Sequence, residues 1–193
     1  FDLVKNYKVR TPFCEDVINF LGELSRALFA NPLTKKYPDV ATFSFFCREA
    51  NIKTLKRRYS DILSCSVGKG LTFHIAPSNI PINFAYSLIM GLLAGNACIV
   101  RISSKYFPQT DIVCAALSDV LGKWDFQSFR VSLSILTYDH SHTFNKLFTD
   151  ISDVRVVWGG DQTVNKIREV KLAPRATDIT FANRLSGSII NAE

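Results

Sequence analysis

From Leu71 onward, short apolar runs alternate with segments of helical length, and this alternation limits the fold more than any other feature of the chain. Apolar runs fall at residues 71–76, 97–102, 131–137 and 154–158. Between them, residues 84–94, 111–121 and the stretch around 144–148 read as helices, and residues 161–170 read as one more after the fourth run. Pro77 closes the first run, Gly95-Asn96 stops the first helix, and Gly122 stops the second, as breakers and helix C-terminal signals should. Two further strands are expected at 177–181 and 188–190. Repeated βα units predict an α/β fold: a doubly wound, mainly parallel, Rossmann-like sheet with helices on both faces. Right-handed crossovers put every strand C-terminus on one edge, and ligands of such sheets bind there. The loops after Ala76, Ile102, Thr137 and Trp158 are therefore where chemistry is expected.

The chain before this region reads differently. Thr11-Pro12 offers a hydroxyl N-cap and a first-turn proline, and Val17, Phe20, Leu21, Leu24 and Leu28 then recur at helical spacing. Pro38-Asp39 opens a second helix with Phe43, Phe46 and Cys47 on one side, and a third carries Leu55 and Tyr59. Residues 1–66 thus form a helical segment expected to pack on a dinucleotide-binding domain of residues 67–193. A chain of 193 residues that is 47% hydrophobic, with fifteen Phe, can bury a sizeable core. The net charge of +6 favours anionic partners, but the densest basic cluster, Lys53, Lys56, Arg57 and Arg58, reads as a solvated helix face without any nucleic-acid motif. Cys14, Cys47, Cys65, Cys98 and Cys114 are odd in number and include no C-x-x-C pair, which fits free thiols and a cytoplasmic setting. No apolar run reaches membrane-spanning length and nothing resembles a signal peptide. The first residue is Phe, so the sequence is expected to be trimmed or a fragment.

Two strand ends stand out. In Ala76-Pro77-Ser78-Asn79-Ile80-Pro81, Asn79 is either a helix cap or an amide donor pointing into the crevice, and the residues alone favour the cap. In Val157-Trp158-Gly159-Gly160-Asp161, the glycines let backbone approach a ligand, or the pair is an ordinary turn with Asp161 as N-cap. Gly68-Lys69-Gly70 lacks P-loop spacing and reads as a turn. His140 and His142 have no further ligand nearby, so no metal site is expected, and His74 reads as a satisfied core histidine.

Residues 70–84, Gly91-Leu92-Leu93-Ala94-Gly95-Asn96-Ala97, Ile99-Val100-Arg101 with Ser103-Ser104-Lys105, and Val156-Val157-Trp158-Gly159-Gly160-Asp161 closely resemble the LuxC-type fatty acyl-CoA reductases. Tyr37-Pro38-Asp39 and Phe46-Cys47-Arg48 do so too. The wider fold resembles the aldehyde dehydrogenases, which use a P-x-N-x-P segment in the same place. The resemblance implies a parent enzyme in which a cysteine thiolate attacks a fatty acyl-CoA or other acyl thioester and NADPH reduces the acyl-enzyme to an aldehyde. Asn79 would stabilise the oxyanion. Ala76, Pro77, Ser78, Arg101, Ser103, Ser104, Lys105, Trp158, Gly159 and Gly160 would line the cofactor. Arg101 stands where aldehyde dehydrogenases usually have a lysine, and Ser104 where NAD-preferring relatives often have a glutamate. Together they leave a 2′-phosphate unrepelled and paired. Where the superfamily usually has Ser, this chain has Gly160, so backbone N–H groups must suffice there.

The general-base glutamate of aldehyde dehydrogenases would fall near Thr180, with Arg184 nearby, so no carboxylate is expected to activate water. The family nucleophile belongs to a catalytic domain beyond Glu193, and none of the five cysteines matches its motif. Cys98 suits packing. The chain alone is therefore expected to be inactive. Besides the thioester substrate, a homo-oligomer and an acyl-transfer protein are the partners to consider. The rival reading is a non-enzymatic nucleotide-binding or assembly module.

Overall fold

The computed structural model describes residues 7–138, 142–184 and 187–190. Among these residues four helices come first: α1 (Glu15–Ala30), α2 (Pro38–Phe46), α3 (Glu49–Arg58) and the single turn α4 (Ser60–Leu63). The alternating region follows as β1 (Leu71–Ile75), α5 (Asn83–Leu93), β2 (Ala97–Ile102), α6 (Pro108–Gly122), β3 (Leu133–Thr137), α7 (His142–Asp150), β4 (Val154–Trp158), α8 (Asp161–Arg168) and β5 (Thr177–Phe181). Short 3-10 turns at Pro32–Lys36 and Trp124–Phe129 complete it.

The five strands form one sheet in the order β3-β2-β1-β4-β5, and every pairing is parallel. The α/β expectation holds. The first three strands step outward one way and β4 returns beside β1, so the order reverses between β1 and β4. That reversal opens a crevice at their C-terminal ends. Side chains alternate between the faces. Cys98 and Val100 of β2 join α1, α2, α5 and α6 in one core. Leu71, Phe73, Ile75, Ala97, Ile99 and Val157 turn to the opposite face and meet Phe148 of α7 and Val164 and Ile167 of α8.

The apolar stripe of α1 behaves as its spacing requires. Val17, Phe20, Leu21, Leu24 and Leu28 are all buried, and Phe20 stacks on Phe129 at 4.6 Å between ring centroids. Leading helices and sheet region thus share one core. Phe43 and Cys47 are fully buried, Phe46 and Leu55 partly so, and Tyr59 is half exposed against Phe13.

The start of α1 differs from expectation. Thr11 and Pro12 do not open the helix; Cys14 N–H closes a turn on Thr11 O, and the helix begins at Glu15. The reason is a tether. Phe13 N–H donates to Leu93 O, Arg10 N–H to Gly95 O, and Gly68 N–H to Arg10 O, which stitches the lead-in to the end of α5. Gly95 sits at φ 84°, and a Cβ there would lie 2.1 Å from Arg10 O, so only glycine fits the stitch. At Gly68-Lys69-Gly70 no turn forms; the chain runs irregularly into a bend at Gly70, whose φ is 136°. The strand expected at 188–190 is not. β5 is the last strand of the sheet, and Ile189 and Ile190 stand exposed without a strand partner.

Candidate functional site

Four strand ends meet at the C-terminal edge. β1 ends at Ile75, and Ala76 N–H continues the ladder onto Arg101 O. Ala76 is buried, Pro77 half-buried, and Ser78 and Asn79 are exposed. α5 starts only at Asn83, with Ile82 as its cap residue and no side-chain cap bond. Asn79 is therefore not the helix cap that the residues alone favoured. Its side chain stands free among the described residues, at the mouth of the crevice. Pro77 and Pro81 bracket it and restrict its backbone.

β2 ends beside this loop. Ser103 Oγ accepts from Lys105 N–H, and Lys105 Nζ lies 5.0 Å from the centre of the Phe107 ring. Ser104 is exposed. Ala76, Pro77, Ser103 and Lys105 line one small depression of the edge.

Arg101 faces the other side of β2, toward α7 and α8. Its Nη2 donates to Tyr138 O at 3.4 Å, its guanidinium lies 5.4 Å from the Tyr138 ring centre, and its Nε is buried without a partner. It lines a cavity of about 350 Å³ with Asn145, Gln162, Thr163, Lys166 and Glu169. Two cations against one carboxylate leave this cavity net positive. A buried guanidinium N–H without an acceptor is costly, and an anionic ligand would relieve that cost. Burial raises the Tyr138 hydroxyl to about 12, with Arg101 pulling the other way, and its O–H donates to Asn145 Oδ1 at 2.7 Å. Tyr138, Asn145 and Lys166 escaped the sequence reading. The sole signal for Tyr138 was its place just after the third strand.

The Trp158-Gly159-Gly160 loop ends β4 opposite. Gly160, not Asp161, is the N-cap of α8, and Asp161 Oδ1 instead accepts from Asn183 N–H at 3.1 Å. A Cβ on Gly159 would meet Thr163 at 3.1 Å, and one on Gly160 would meet Asn183 at 3.2 Å, so both glycines are also packed from within. Trp158 stacks on Phe181 at 3.7 Å and donates to Ser87 Oγ at 3.0 Å. Ser87 also pairs with His74 Nδ1 at 2.8 Å, whereas His74 Nε2 has no partner, so this core histidine is half satisfied. Burial lowers its pKa to about 3 and keeps it neutral.

Thr180 lies on β5 and accepts from Arg168. The nearest carboxylate of the strand, Asp178, is committed to Arg155 and Arg168. Of the cysteines, Cys47 and Cys98 are buried with pKa values raised by desolvation, and Cys114 is raised to about 11 by the same cause and by Asp111. None of the five lies on the loops of the edge. His140 falls outside the described residues, and so does the side chain of His142. Among the described residues no cluster suits a metal, and no helix is long and apolar enough to cross a membrane.

A wholly parallel sheet that reverses between β1 and β4, with its conspicuous loops at that reversal, defines a Rossmann-like α/β domain. Solved structures agree in fold. Glyceraldehyde-3-phosphate dehydrogenase GapN from Methanocaldococcus jannaschii, complexed with NADP, superposes with a TM-score of 0.60 at 15% identity, over 93% of this chain and 42% of that one. A Proline Utilization A mutant from Bradyrhizobium japonicum gives 0.65 at 16% identity, over 89% and 20%. The acyl-CoA reductase (LuxC) family model matches residues 51–193, and the chain belongs to that family. The long-chain acyl-protein thioester reductase of Aliivibrio fischeri is 28% identical over 127 residues, 64% of this chain and 26% of the relative. That of Photobacterium phosphoreum is 25% identical over 166 residues, 81% and 33% respectively. The chain thus spans about a quarter to a third of the length of such relatives.

Proposed function

We propose that this chain is the cofactor-binding part of an NADPH-dependent reductase that converts a fatty acyl thioester to an aldehyde through a cysteine acyl-enzyme, with the cysteine supplied from outside residues 1–193. On this reading residues 1–66 brace a cofactor domain of residues 67–193, and the chain alone does not turn over. The observation that carries it is Arg101: a half-buried side chain whose Nε is buried without a partner, lining a net-positive cavity beside the switch point. Family membership and the thioester reductases named among its relatives supply the substrate class.

The residues present fit a phosphorylated dinucleotide. Arg101 and Lys166 would hold the adenosine end and its 2′-phosphate, and exposed Ser104 adds no negative charge there. Gly159 and Gly160 would bring backbone close to the diphosphate, and Ala76, Pro77, Ser78, Ser103, Lys105 and Trp158 complete the edge. When bound, NADPH supplies the reducing equivalents. Asn79 would supply an amide donor for charge that appears on the thioester oxygen only during attack, and the flanking Pro77 and Pro81 restrict the backbone that carries it. With Thr180 at the expected general-base position and Asp178 held in ion pairs, the described residues of β5 offer no free carboxylate to activate water, which suits reduction better than hydrolysis.

Calorimetric titration of this chain tests the cofactor step. NADPH should bind at least about tenfold more tightly than NADH, and Arg101→Ala should remove most of that margin, since a charge-assisted contact contributes about 1.5–3 kcal/mol. Equal affinity for both dinucleotides would remove the reading.

A further inference from the structure

Ser87 lies in the first half of α5 and is 4% exposed. Its Oγ stands 3.0 Å from the indole nitrogen of Trp158, at the end of β4, and 2.8 Å from His74 Nδ1, on β1. Among the described residues these are its two polar partners. An indole N–H can only donate, so Ser87 Oγ accepts from Trp158 and the hydroxyl's own proton is left for Nδ1. His74 is then the neutral tautomer protonated at Nε2. Gly91, one turn further along α5, makes room for that nitrogen, since a Cβ there would stand 2.8 Å from it. Nε2 itself is buried without a partner. Apolar side chains would fill the same space without the cost of that unpaired group.

We propose that Ser87 is a positioning residue that sets the Gly159-Gly160 loop against the Asn79 loop, and in giving those loops their roles the proposal rests on the cofactor reading above. The Asn79 loop is bounded by β1, which carries His74, and by α5, which carries Ser87. The Gly159-Gly160 loop follows Trp158, and its glycines bring no side chains of their own to hold it. Its place depends on how Trp158 is held. The Trp158 ring stacks on Phe181 with an angle of 8° between the ring planes. A stack fixes the tilt of a ring but lets it slide and turn within its own plane. The N–H bond to Ser87 removes that freedom. On the main chain, Gly159 N–H donates to Phe181 O at 3.2 Å, which ties the loop to β5. Ser87 adds a side-chain tie to the two elements that flank Asn79. A fully paired buried chain of this kind specifies one geometry, and here that geometry is the spacing between the loop for the dinucleotide and the loop for the acyl oxygen.

The test uses this chain with Trp124→Phe, at an 81% exposed position, which leaves Trp158 as the single tryptophan. In NMR spectra the Trp158 indole N–H should exchange slowly with water, and Ser87→Ala should speed that exchange. Calorimetry should show NADPH binding weakened roughly three- to tenfold in Ser87→Ala, the share of one neutral hydrogen bond. Trp158→Phe keeps a ring against Phe181 but has no N–H, and should weaken binding by a similar factor. The double variant should bind no worse than the weaker single one, because both changes remove the same bond. Ser87→Thr, which keeps the hydroxyl, should recover most of the affinity. If Ser87→Ala does not fold, Ser87→Cys, close in size and a weak acceptor, takes its place with the same expectations. Losses that multiply in the double variant would overturn the proposal. So would a lowered melting temperature with unchanged NADPH affinity, since Ser87 would then serve packing alone. No NADPH binding by the unaltered chain would overturn the cofactor reading and this proposal with it, whereas binding that Ser87→Ala leaves intact would overturn this proposal alone.

Discussion

Replacing Asp178 with Ala should be among the most damaging single changes outside the apolar core, and the reason lies in one buried cation. Arg155 is 2% exposed on β4. Its Nε donates to Asp178 Oδ1 at 2.9 Å, and its Nη1 donates to Ile167 O at 3.1 Å and Val170 O at 2.8 Å. The guanidinium thus ties β4 to β5 and to the end of α8, the helix that lines the Arg101 cavity. Removing the carboxylate leaves the cation buried with two carbonyls and no counter-charge. Breaking a buried pair costs about 3–5 kcal/mol, and the residual carbonyl bonds place this case near about 3. For a chain of this size that is a fall in Tm of roughly 6–12 °C. Arg168, half exposed on the same carboxylate, is a built-in control: Arg168→Ala should cost about 1 kcal/mol or less. The pH dependence has a definite sign. Burial alone would raise the Asp178 pKa, but hydrogen bonds from Arg155 and Arg168 outweigh it and hold the group below its usual value. A depressed folded-state pKa gives stability that is complete above the unfolded value near 3.8 and is lost as pH falls through the folded value. Asp178→Asn should therefore flatten the acid limb of a Tm-versus-pH curve below about pH 4. Thermal melts of the three variants across pH settle it. If Asp178→Ala and Arg168→Ala cost the same, or the acid limb is unchanged in Asp178→Asn, the buried cation is not what the pair protects.

Two further outcomes follow from close contacts and from one free amide. Gly91→Ala would put a Cβ 2.6 Å from Cys98 Sγ and 2.8 Å from His74 Nε2, so it should destabilise by about 1–3 kcal/mol despite alanine's better helix propensity, with Cys98→Ala restoring part of the loss in a denaturant titration. Asn79→Ala should leave the melting temperature of this chain within the scatter of surface substitutions, about 0.5 kcal/mol, because Asn79 caps nothing. In a full-length protein it should slow single-turnover acylation roughly 10²–10³-fold without changing NADPH affinity, and near-normal acylation would remove its catalytic role.

The strands of this fold were legible because each is a short apolar run cut off by a breaker at a fixed place. Pro77 after β1, Gly95 before β2 and Gly159 after β4 mark their limits almost to the residue, and the expected spans for β2, β4 and β5 coincide with those observed. What failed were local signals overruled by distant partners. Thr11-Pro12 is a fair helix start by composition, yet Leu93 O and Gly95 O, some eighty residues away, capture the neighbouring amides and hold the segment as a turn. Asp161 looks like an N-cap, yet its carboxylate serves Asn183 across the edge from β5. Tertiary hydrogen bonds of this kind have no signature in a window of ten residues.

The site divides along the same line, and the division says where its specificity resides. Asn79 and the Gly159-Gly160 pair could be singled out as candidates because strand ends of a doubly wound sheet converge whatever the intervening helices do, whereas Arg101 entered through the family resemblance. Topology alone makes those positions neighbours. The environment that gives them meaning is assembled from separate crossovers. Lys166 comes from α8, Asn145 from α7 and Tyr138 from the end of β3, and only the folded sheet brings them to Arg101. General chemistry, an amide donor and a cation at strand ends, can thus be read from the loops. On the proposed reading, discrimination between dinucleotides depends on side chains of the intervening helices, Lys166 among them. Substitutions at Lys166 should therefore change which dinucleotide is preferred, while Asn79 should change only how fast the bound substrate reacts.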